Sequence, residues 1–119
     1  MKTGRKISGG RYKKSRKKKM YELPGQRRIV SLGQEKRKAK RVMGGNKKNF
    51  LLKTNIINVK SGKKVQKLEI TNVVETPSNK FLARQKTITK GTIVQTEKGL
   101  VKITNRPGQE GVLNGILVD

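Results

Sequence analysis

From residue 50 onward, apolar side chains recur in short runs, and each run is closed by residues that favour turns. Residues 50–59 form the first run, and Lys60-Ser61-Gly62-Lys63 separates it from a second over residues 65–75, where Leu68, Ile70 and Val74 share one face of a strand. Thr76-Pro77-Ser78-Asn79 breaks that run, and residues 80–84 read as a further short strand. Residues 92–96 pair with residues 100–104 through Glu97-Lys98-Gly99, where glycine supplies a positive φ. Arg106-Pro107-Gly108 makes another turn, and residues 111–118 end the chain as a last apolar strand. Five or six strands this short, rich in Val, Ile and Thr, predict an all-β fold, a small antiparallel β-barrel of about six strands or a sandwich. No segment is long enough to serve as a helical crossover between parallel strands, and no repeat of fixed period is present.

Residues 1–49 have a different pattern. They contain six Leu, Ile, Val or Phe residues, against 24 in residues 50–119. Ordering a backbone costs about 1–2 kcal/mol per residue, more than so few apolar groups offset. Ser8-Gly9-Gly10, Leu23-Pro24-Gly25 and Met43-Gly44-Gly45-Asn46 interrupt the segment further. The division expected is therefore a long, largely irregular basic extension over residues 1–49, ordered on its partner, and a barrel domain over residues 50–119. Within the extension, a short helix over residues 35–42 would have an almost wholly cationic face, so it is expected to form against RNA or not at all.

Charge identifies the kind of partner. The chain has 31 Lys and Arg against 7 Asp and Glu, a net charge of +24, of which +17 lies in residues 1–49. Solubility alone favours a net charge of only about 2–8 in a small domain. Such an excess implies a polyanion, and nucleic acid rewards it by releasing counterions as phosphates are neutralised. The chain has no Cys and no His, so disulfides and zinc fingers are excluded and no metal or other cofactor is expected. The seven acids are scattered, with no Asp before Asp119, and Glu69, Glu75, Glu97 and Glu110 read as local partners of lysine rather than as a catalytic set. Neither the P-loop nor the dinucleotide fingerprint occurs, so no enzyme activity or small-molecule substrate is expected. No apolar run reaches the roughly 18 residues of a membrane span and the N-terminus has no signal-like stretch, so a cytoplasmic protein without membrane contact is expected.

The candidate RNA-binding residues follow from these clusters. They are Arg5, Lys6, Arg11 and Tyr12 at the first glycine pair, then Lys13, Lys14, Arg16, Lys17, Lys18 and Lys19, then Arg27 and Arg28. Lys36, Arg37, Lys38, Lys40 and Arg41 form a second run, continued by Lys47 and Lys48. Arginine forks onto phosphate, paired glycines let a backbone approach it closely, and Tyr12 can stack on an unpaired base. The irregular spacing suits a folded RNA better than a regular groove. In the barrel, Lys90 and Arg106 present cations from turns. An architectural protein of DNA or chromatin is the alternative that the same charge would serve.

Several of these segments occur together in one known family. Gly4-Arg5, Ser8-Gly9-Gly10-Arg11-Tyr12, Tyr21-Glu22-Leu23 and Arg41-Val42-Met43-Gly44-Gly45-Asn46 are followed by Val74-Glu75-Thr76-Pro77-Ser78-Asn79, Ile88-Thr89-Lys90-Gly91, Gln95-Thr96-Glu97-Lys98-Gly99 and Thr104-Asn105-Arg106-Pro107-Gly108-Gln109-Glu110-Gly111. In this order they resemble the small-subunit ribosomal protein family eight shared by archaea and eukaryotes, in its compact archaeal form. Pro24, between Leu23 and Gly25, departs from that pattern. The resemblance implies a structural ribosomal protein whose partners are small-subunit ribosomal RNA and neighbouring ribosomal proteins.

Overall fold

A computed structural model of the chain describes residues 4–12, 16–62 and 64–118. Among these residues are eight strands, β1 (Ser31–Leu32), β2 (Lys36–Arg41), β3 (Lys47–Thr54), β4 (Ile56–Ser61), β5 (Lys64–Glu75), β6 (Ile93–Thr96), β7 (Gly99–Ile103) and β8 (Asn114–Leu117), and one short α-helix, α1 (Lys80–Arg84). The all-β barrel expected from the pattern is present, with five strands, β4 to β8, closing on themselves. β1, β3 and β2, in that spatial order, make a separate three-stranded sheet.

The barrel is a meander in which each strand pairs antiparallel with the next, and β8 returns to pair parallel with β4. Five alternating directions force the first and last strands to run the same way. A parallel pair therefore forms without any crossover helix, since the whole meander is its connection. Gly115 on β8 lies between Val59 and Ile103 in the register. A Cβ there would lie 2.5 Å from Val101 Cγ1 and 3.0 Å from the Lys102 carbonyl oxygen, so the close approach that seals the barrel requires glycine.

Residues 50–59, expected as one strand, divide at Asn55. The Thr54 hydroxyl accepts from the Ile56 N–H and donates to the Ile56 carbonyl, each at 3.2 Å, and this local bond bends the chain from one sheet into the other. On β5, Leu68 and Ile70 face the core as expected, but Val73 takes the place predicted for Val74, which is half exposed. The pairing with β6 steps from Ile70↔Thr96 to Asn72↔Gln95, and this bulge turns Val73 inward before a second shift between Val73 and Glu75.

One conditional element is absent and one local expectation is overturned. Residues 35–42 do not form a helix. Lys-Arg-Lys-Ala-Lys-Arg offers no apolar stripe to pack, and β2 instead pairs antiparallel with β3 from Lys36↔Lys53 to Arg41↔Lys47. The hairpin turns at Met43–Gly45, with Gly44 at φ 75° and Gly45 at φ 76°. Residues 80–84 are helix rather than strand, because the Asn79 side chain caps the Phe81 N–H at 2.9 Å.

Ile57, Val59, Leu68, Ile70, Val73, Val94, Val101 and Ile103, on the barrel strands, form one buried core with Val30, Leu51, Ile88 and Leu113. Burial of each such side chain contributes roughly 1.5–3 kcal/mol. No described residue in 4–29 is buried. The radius of gyration is 20.7 Å. A compact chain of this length would have about 13–14 Å, so the N-terminal segment reaches far from the core.

Candidate nucleic-acid interface

The described cations fall into three groups. The first is at the N-terminus, where Gly9, at φ 77°, closes a tight turn that bridges Arg5 and Arg11. The Lys6 N–H donates to the Gly10 carbonyl at 2.8 Å, and the Arg5 guanidinium donates to the Gly9 carbonyl at 3.2 Å. Lys6 Nζ sits 5.8 Å over the Tyr12 ring, which remains about half exposed. Arg5, Lys6, Arg11 and Tyr12 thus share one small exposed turn. Lys13 and Lys14 lie outside the described residues.

Arg16 is engaged with Glu22 through two guanidinium bonds of 2.6 and 2.9 Å. This contact raises the Arg16 pKa and holds the Glu22 carboxyl below its ordinary value, helped by the Lys19 N–H, which donates to the same carboxylate at 3.0 Å. Lys17, Lys18 and Lys19 are exposed beside it. Leu23 takes the extended backbone that a following Pro24 demands. Among the described residues, no hydrogen bond or ion pair of residues 4–23 reaches beyond residue 23.

The second group is the β2–β3 hairpin. Lys40 stands opposite Lys48, Arg41 opposite Lys47 and Lys36 opposite Lys53. Like charges directly opposite each other destabilise a ladder, and an anion laid across them relieves the repulsion. Arg37 is paired with Glu35. Arg16–Glu22 and Arg37–Glu35 are the only ion pairs among the described residues, so almost the entire cationic excess is unneutralised within the chain.

In the third group, residues distant in sequence are gathered. Arg27, Arg28, Lys40, Lys90 and Arg106 line a single cleft of about 670 Å³ between residues 25–30 and the barrel turns, and no carboxylate lines it. Its walls are fixed by backbone. The Ile88 N–H donates to the Val30 carbonyl at 2.7 Å, and the Leu51 N–H to the Pro107 carbonyl at 3.0 Å. The Arg28 guanidinium lies 3.9 Å from the Phe50 ring centroid and donates to the Gly108 carbonyl at 3.4 Å. Lys48 Nζ donates to Gln109 Oε1 at 2.7 Å. Gly91, at φ 85°, donates its N–H to the Ile103 carbonyl at 2.8 Å and so sets the turn that carries Lys90.

The Arg-Pro-Gly-Gln turn is thus a structural clasp as well as a source of charge. Sequence reasoning missed Phe50 as the support of Arg28, and Ser78 as part of the cleft wall. It also passed over Lys60 and Lys102, which flank Ile116 on the outer wall of the barrel. A clue to these last two was available in the alternation of lysine with inward-facing apolar residues on β4 and β7.

Among the described residues, no cluster of acidic side chains suits a metal ion, and no helix is long and apolar enough to cross a membrane. A family described as Ribosomal protein S8e matches residues 1–118. The chain is 43% identical over 119 residues to the small ribosomal subunit protein eS8 of Methanocella arvoryzae, covering 98% of this chain and 95% of that protein. It is 50% identical over 118 residues to the protein of the same name from Staphylothermus marinus, covering 97% and 92%, respectively. The eS8 protein of Nanoarchaeum equitans is 45% identical over 117 residues, covering 96% and 91%.

Proposed function

The chain belongs to the ribosomal protein S8e family, and from that premise we propose that it binds small-subunit ribosomal RNA by phosphate contacts from its extension, its β2–β3 hairpin and its barrel turns. The family is one of structural ribosomal proteins and not of enzymes. The chain has a structural role in the ribosome. Within the particle, the barrel and the β1–β3 sheet dock as a preformed body, and the segment before Val30 orders against RNA, bringing cations between helices whose phosphates repel. Neighbouring ribosomal proteins complete its surroundings, and the particle works in the cytoplasm.

The observation that carries this reading is the unneutralised charge. The chain's net charge is +24, and only Arg16 and Arg37 meet a carboxylate among the described residues. Each phosphate contact steepens the fall of affinity with salt, with a log–log slope of about −0.7 to −0.9 per contact. Binding of small-subunit ribosomal RNA and of duplex DNA is compared at matched salt, across a salt series. A steep slope with clear preference for the ribosomal RNA is expected, whereas equal affinity for both would favour an architectural DNA-binding role instead.

A further inference from the structure

Phosphate binding leaves part of the third group unexplained. The cleft that gathers Arg27, Arg28, Lys40, Lys90 and Arg106 has an apolar floor that includes Ile29, Leu82, Ile88 and Pro107. A phosphate gains nothing from such a floor. A volume of about 670 Å³ exceeds what a phosphate needs, and falls within the range of about 300–1,000 Å³ typical of sites for small organic groups. We propose that the cleft receives one unpaired nucleotide turned out of the RNA, its base against the apolar floor and Arg28, its phosphates on Arg27, Lys90 and Arg106. The inference rests on the RNA-binding reading above and adds to it a site for a base.

Arg28 is built as a plate. Phe50 supports one face of its guanidinium at 3.9 Å, and the Gly108 carbonyl fixes its edge. Arg28 lines the cleft and Phe50 does not, so the guanidinium face away from the ring is the one offered to a ligand. Guanidinium planes and aromatic rings are the surfaces on which unpaired RNA bases stack. Ser78 and Gln26 also line the cleft, and neither side chain makes a hydrogen bond among the described residues, which leaves both able to meet the edge of a base. The backbone on either side of the nucleotide has a path as well. Lys40 lines the cleft, and Lys38 and Lys36 follow it on the same face of β2 at intervals of about 6.7 Å.

Two variants of the full chain test the site against small-subunit ribosomal RNA. Ser78→Phe fills the cleft from an exposed turn. Arg28→Lys keeps the charge but removes the plate. Stacking of one base implies that each lowers affinity roughly 5- to 100-fold. The salt slope should stay at the wild-type value, since no cation is lost. Ultraviolet crosslinking of wild-type complexes should place a base on residues 25–30, 87–90 or 106–109, and Ser78→Phe should abolish that adduct. Thermal unfolding checks that both variants are folded, and if one is not, the other still decides. Wild-type affinity in both variants, or crosslinks confined to other segments, would overturn the nucleotide site while leaving RNA binding intact. A wild-type chain that does not bind the RNA would instead overturn the parent reading.

Discussion

Residues 4–23 and the barrel both carry exposed cations, but they hold them by different physics. In the barrel, a cation such as Lys90 stands on a turn whose backbone is bonded to β7, over a core of fully buried Val, Ile and Leu. In residues 4–23, cations stand on turns bonded only to themselves, such as the Arg5 to Arg11 turn and the Arg16–Glu22 pair. The first arrangement fixes where a charge is before any partner arrives. The second leaves position to the partner and supplies reach and number instead. Stability and charge are thus largely separated along the chain, and the two can be perturbed independently.

Removing residues 1–29 tests that separation most severely. The segment contains 12 Lys and Arg and no buried side chain among its described residues. RNA affinity should fall by a factor on the order of 10³ or more at physiological salt, with a salt slope several units shallower. The free energy of urea unfolding should change by about 1 kcal/mol or less, mainly through the lost Arg28 contact with Phe50. An unfolded remainder would break the comparison.

The converse changes act on the core alone. Ile57→Ala should lower stability by about 2–5 kcal/mol, and Gly115→Ala by about 1–3 kcal/mol, because its methyl group has no room beside Val101. At a temperature where both variants remain folded, their RNA salt slopes should match wild type.

Lys47→Glu sharpens the contrast by moving the two properties in opposite directions. It turns the like-charged Arg41–Lys47 pair into an attractive one, which should stabilise the free protein by roughly 0.2–1 kcal/mol. RNA affinity should drop at the same time.

The smallest effect concerns pH. The folded pKa of Glu22 is depressed, so the Arg16 contact contributes fully above the ordinary carboxylate range and is lost as pH falls through the lowered value. Both residues lie at the surface, so the change should be visible in the NMR titration of the Glu22 carboxyl carbon and scarcely at all in global stability. Arg16→Gln should move that midpoint upward toward its ordinary value.

The strand character of residues 65–75, the hairpin at Glu97-Lys98-Gly99 and the concentration of charge before residue 50 were legible in the sequence. They depend on neighbouring residues, through alternation, a positive-φ glycine and composition. The edges of that legibility are physical too. Asn79 caps a helix where apolar content suggested a strand, and β2 forms because β3 offers it a ladder. Neither outcome is contained in the segment's own pattern.

The sequence by itself determined a β-rich body joined to a cation-rich, core-poor segment, because those properties are sums over local residues. Only the tertiary structure decided the odd-numbered closure that makes β4 and β8 parallel, the bulge that buries Val73 in place of Val74, and the gathering of Arg27, Lys40, Lys90 and Arg106 at one cleft. Each of these depends on which backbone groups pair across long stretches of chain, and a linear pattern carries no register for pairings that distant.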